Sequence, residues 1–72
     1  METTSIRLPI RNLPERFDRS RITVVLDEIE IALMDEGGVY AKTSADSFTI
    51  KIEVQTHQLM DTASCLKSLG LI

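Results

Sequence analysis

The chain has one cysteine, Cys65, in 72 residues. An intramolecular disulfide framework and a multi-cysteine zinc site are therefore excluded. Glycine and proline are scarce, three and two residues, and 43% of the chain is hydrophobic against 26% charged. That balance belongs to a globular domain and excludes intrinsic disorder. No apolar run approaches the roughly 20 residues of a membrane helix, and Met1–Pro9 lacks the apolar core of a signal peptide. The expectation is a cytoplasmic chain with no membrane association. At this length it forms a single small α+β domain over residues 1–72, with residues 1–5 frayed. Such a domain buries only about 60% of its unfolded surface, so its core is thin.

The formal charge of −3 is unevenly spread. Residues 1–21 hold five arginines, Arg7, Arg11, Arg16, Arg19 and Arg21, and carry +2, whereas residues 22–72 carry −5. Arginine suits planar, bidentate contact with carboxylate or phosphate. These five are the candidate residues for binding a partner with an anionic surface.

From Ile6 to Ile10 apolar and polar residues alternate, which predicts a half-buried strand. Pro9 cannot donate to a ladder, so this strand lies at an edge or points its missing donor outward. The main helix follows, with Asp18 or Ser20 as cap and Gly37-Gly38 as stop. Within it Ile22, Val25, Leu26, Ile29 and Leu33 form one stripe of a 3.6-residue period. Its β-branched residues favour strands, so an all-β alternative has strands over 21–26 and 29–33. Helix is preferred. If Gly38 is left-handed, Val39 can touch Met34.

A hairpin comes next. Val39 and Ala41 alternate with Tyr40 and Lys42, and Ser44-Ala45-Asp46-Ser47 makes the turn. Phe48, Ile50, Ile52 and Val54 then form the dry face of the clearest strand. A last helix runs from about His57 to Leu69, capped by Thr56, with Leu59, Ala63, Leu66 and Leu69 inward and Leu71 placed to touch Leu66. The order is β-α-β-β-α, a three-stranded sheet with two helices packed on one face. It resembles the ferredoxin-like topology lacking its last strand, a likeness of layout that carries no function.

Catalytic equipment is missing. His57 and Cys65 are eight residues apart on one helix, about 12 Å along its axis, too far for a nucleophile and its base. Asp61 is four residues from both, and such a row lacks the ligands of a metal site. Asp27, Glu28, Glu30, Asp35 and Glu36 read as a solvated helix face, because catalytic carboxylates need a cleft that separates their pKa values. Gly37-Gly38 follows a helix, so it is no phosphate loop. No enzyme activity, cofactor or metal is expected.

For nucleic acid, the open sheet face would offer Arg7, Tyr40, Lys42, Thr49 and Lys51, with one aromatic and with Glu53 among the cations. RNA-binding sheets stack bases on several aromatics, and a pI near 4.9 lacks the basic footprint. The opening Ser5-Ile6-Arg7-Leu8-Pro9 resembles the start of a ribbon-helix-helix repressor. That likeness implies paired strands entering the DNA major groove, and the hairpin downstream departs from the pattern. A nucleic-acid-binding transcriptional regulator using the arginine-rich segment is the alternative function.

Val24 and Ile31 lie seven residues apart, opposite the Ile22–Ile29 stripe, and Met34 extends their side. A helix apolar on two faces is buried twice. The second cover is either the C-terminal helix or another chain, and Val24, Ile31 and Met34 are the candidate self-association residues of a homodimer. An unpaired edge strand offers a second route to pairing. The expected function is a small, non-catalytic protein-binding module. It would act as a regulator or inhibitor of another protein, of the kind that mobile elements such as phages and their hosts encode.

Overall fold

The computed structural model describes residues 2–72. Its elements are β1 (Thr3–Pro9), a 3-10 turn (Ile10–Asn12), α1 (Ile22–Gly37), β2 (Lys42–Ala45), β3 (Thr49–Gln55), a second 3-10 turn (Thr56–Gln58) and α2 (Leu59–Ser68). This is the expected α+β order, β-α-β-β-α. Residues 22–37 are helical throughout, so the all-β alternative is set aside. One face of that helix buries Val25, Ile29 and Leu33, and tertiary burial outweighs the β preference of its branched residues.

The sheet order is β1-β3-β2, with both pairs antiparallel. This matches the ferredoxin-like layout without its last strand. β1 starts earlier than the alternation suggested: Thr3, Thr4 and Ser5 pair with Gln55, Val54 and Glu53. Thr3–Ser5 of the expected frayed segment are thus strand, Glu2 precedes it, and Met1 lies outside the described residues. Ile10, expected in the strand, begins the 3-10 turn, and its N–H donates to Phe48 O at 2.9 Å. At the other end Thr56 N–H donates to Glu2 O. Even-numbered positions of β1 therefore face β3, and odd-numbered ones face outward. Pro9 sits at an edge and at an outward position, so its missing donor costs no ladder bond.

On the helix-covered face Leu8, Ile50, Ile52 and Val54 are buried. The helices meet above them through Leu66, Cys65, Ile29 and Leu33, in one continuous core. The segment joining β1 to α1 contributes to that core, which its polar composition had concealed. Leu13 and Phe17 are both buried, and Phe17 N–H closes a turn on Pro14 O. Arg16 lies over the Phe17 ring, 5.0 Å from its centroid. The Arg16 guanidinium also donates to the carbonyl of Leu69 at the end of α2.

Three expected caps are used differently. Asp18 Oδ1 accepts from the backbone N–H and the hydroxyl of Ser20, making a local turn, and α1 begins after Arg21 with no side-chain cap. Thr56 bonds through its hydroxyl to Thr4 Oγ1 at 2.8 Å and caps no helix. At the end of α1, Gly38 is left-handed (φ 63°), and Val39 N–H reaches past Met34 to Leu33 O. Gly38 N–H donates to Met34 O at 3.0 Å, and Val39 is fully buried while Met34 is 47% exposed. The end of α2 follows expectation. Gly70 (φ 77°) donates to Lys67 O and Leu71 to Leu66 O, the paired bonds of a Schellman motif.

Candidate interaction surfaces

The solvent face of α1 presents Val24, Ile31 and Met34, which are 43%, 60% and 47% exposed. α2 does not cover them. It packs elsewhere on α1, where Cys65 Sγ lies 3.6 Å from Ala32 O and 3.4 Å from Glu36 Oε2. The five carboxylates of α1 accordingly separate. Glu30 accepts from Thr43 Oγ1 of β2 at 3.0 Å and Glu36 from Cys65. Asp27, Glu28 and Asp35 remain exposed and share a side of the helix with the apolar stripe.

The five arginines do not form one patch. Arg7 lies on the open sheet face, directly opposite Lys51. Two like charges so placed repel. Arg16 and Arg19 are both committed to backbone carbonyls, Arg16 to Leu69 and Arg19 to Leu13 at 2.9 Å. Arg21 precedes the first turn of α1. Arg11, on the first 3-10 turn, is exposed. Of the set, Arg11 and Arg19 come together on an open depression of about 610 Å³ at one end of the sheet, lined also by Pro9, Ile10, Phe48 and Thr49.

Phe48 was expected on the dry face of β3. It is instead 80% exposed, because the strand begins one residue later and the turn diverts the chain. Asp46 Oδ1 accepts the N–H groups of both Phe48 and Thr49 at 2.8 Å. Those two bonds hold the Asp46 carboxyl below its ordinary range, with smaller help from Arg7. The Asp-Ser pair before Phe48 was the available signal, since an aspartate bonding two residues ahead sets its own turn.

The open sheet face is polar. Arg7, Lys42 and Lys51 stand there with Ser44, and Glu53 is paired directly with Lys42. Tyr40, 74% exposed, precedes β2 at the same side. His57 is exposed in the second 3-10 turn, and Cys65 is buried. Burial, then the Glu36 carboxylate, push the Cys65 thiol up, away from the thiolate a nucleophile requires. Among the described residues no three of His, Cys, Asp and Glu converge to hold a metal ion, and no helix is long and apolar enough to cross a membrane. The chain matches no protein-family model, no curated protein and no solved structure, so the surfaces themselves carry the functional reading.

Proposed function

We propose that the chain is a non-catalytic protein-binding module that regulates or inhibits another protein by covering part of its surface. The observation that carries this reading is the solvent face of α1. Three large apolar side chains, Val24, Ile31 and Met34, stand exposed on one helix. Fully burying a side chain of this size is worth about 1.5–3 kcal/mol, and an apolar stripe rimmed by charge marks an interaction surface.

A second copy of the chain is one occupant of that face. Asp27, Glu28 and Asp35 would then approach their own copies, and that repulsion sets the character of a homodimer. It should be weak at low ionic strength and should tighten as salt screens charges beyond about 10 Å at 0.1 M.

Light scattering at high micromolar concentration tests this directly. Val24→Asp or Ile31→Asp should lower the mass while leaving the circular-dichroism spectrum unchanged. A monomeric wild type at all salt concentrations would reject the homodimer and leave a different protein as the occupant. In that case, proteins captured from the native host by the wild type should be lost with Ile31→Asp. Identical capture by both chains would overturn the assignment of this face.

A further inference from the structure

The depression at the sheet end combines three features that the α1 surface lacks. The first is Phe48. Its ring is 80% exposed, yet its backbone is pinned: the N–H donates to Asp46 Oδ1 at 2.8 Å and the carbonyl accepts from Ile10 at 2.9 Å. An apolar ring carried on a fixed turn spares a ligand the cost of ordering the backbone beneath it. The second is the pair Arg11 and Arg19. Arg19 donates one N–H to Leu13 O, which orients its planar fork and leaves further donors for a ligand. The third is the lining itself, which contains no carboxylate and places Pro9 and Ile10 beside the cations.

We propose that this depression binds an acidic peptide segment of a partner protein, with a carboxylate held by Arg11 and Arg19 and a neighbouring apolar side chain against Phe48 and Ile10. The inference rests on the reading of the chain as a protein-binding module but uses none of the α1 surface residues. Aromatic and arginine side chains dominate the anchors of protein interfaces, and a guanidinium pairs with a carboxylate in bidentate geometry. The volume lies within the roughly 300–1,000 Å³ of ligand sites. Nucleic acid fits less well. One ring offers one stacking platform, and the chain as a whole carries −3, which opposes a polyanion approaching along its length.

The test is a titration of the 15N-labelled full chain with a short, end-capped peptide alternating glutamate with leucine and phenylalanine. A lysine-for-glutamate peptide and a short oligothymidylate serve as comparisons. The acidic peptide should give saturable shifts centred on the amides of Ile10, Arg11, Phe48 and Thr49. Its affinity should fall about tenfold in Phe48→Ala and in Arg11→Ala, and Arg11→Lys should recover only part of that loss. Both side chains are exposed, so these variants should keep the wild-type spectrum elsewhere. Absence of saturable shifts at millimolar peptide would overturn the proposal. So would equal binding of the lysine peptide, or tighter binding of the oligonucleotide at about 0.15 M salt. Ile31→Asp separates the two readings. If it loses its partner or oligomer while the depression stays silent, only this inference fails; if the depression binds and Ile31→Asp changes nothing, only the α1 reading fails.

Discussion

Arg16 donates to the carbonyl of Leu69, 53 residues further along the chain, while its guanidinium lies over the ring of Phe17. One side chain thus fastens the segment between β1 and α1 to the last turn of α2, where unpaired carbonyls and the negative helix end favour a cation. Arg16→Ala should cost about 1 kcal/mol, a typical net value for one hydrogen bond. In a domain of this size that lowers the melting midpoint by roughly 4–8 °C. Arg16→Lys should restore part of the loss. A midpoint unchanged in Arg16→Ala would show that the fastening contributes nothing.

Gly38 closes α1 at φ 63° with nothing within 4 Å of where a Cβ would stand. The cost of a side chain there is purely that of the backbone. Gly38→Ala should destabilise by about 1–2 kcal/mol in urea unfolding, and Gly38→Asn by less, because asparagine tolerates the left-handed region. Equal losses would mean that something other than the backbone angle sets the penalty.

Asp18 and Asp46 each accept hydrogen bonds at an exposed turn, which lowers both carboxyls below their ordinary value of 3.8. A depressed carboxyl contributes stability that is present above the unfolded-state value and lost as pH falls through the folded one. Thermal midpoints should hold steady above about pH 5 and decline as pH drops below the unfolded-state range near 4. Asp46→Asn should flatten part of that decline. An unaltered acid limb in the variant would remove Asp46 from the account.

Cys65 should react slowly with a thiol reagent in the folded chain, because it is buried and its thiol is pushed up from 9.0. Labelling at pH 8 should proceed through opening of the structure and accelerate with sub-denaturing urea. The sign in alkali is fixed as well. The folded state holds this proton more tightly, so stability should fall as pH rises past the unfolded value of about 8.5–9. Rapid labelling without urea would mean that the α1–α2 contact opens freely.

The strands and helices were legible wherever the sequence repeats a period. Ile50, Ile52 and Val54 alternate cleanly, and Val25, Ile29 and Leu33 recur at helical spacing, so burial followed pattern. The missing donor of Pro9 placed β1 at an edge. The remaining core residues follow no period. Leu13 and Phe17 reach the core from an irregular segment, where only tertiary packing selects them. Phe48 continues an alternation that the Asp46 turn interrupts. The arginines were visible as a group, but their division between backbone carbonyls and solvent depends on groups distant in sequence. Arg16 and Leu69 could not be paired by reading along the chain.

The central position of β3 has a consequence for how the chain assembles. Ala45 and Ile50 are paired across a tight turn, whereas Leu8 meets Ile50 only after 42 intervening steps of chain. Loop-closure entropy grows with the logarithm of length, so the second pairing starts about 2 kcal/mol behind the first. The β2–β3 hairpin closes the shorter loop and forms on a timescale of microseconds, and β1 is expected to join it afterwards as the final strand. Once paired, it is held along seven residues of β3, against four for β2. The depression beside Phe48 is built partly from β1 and the turn after it, so it exists only once that final step is complete.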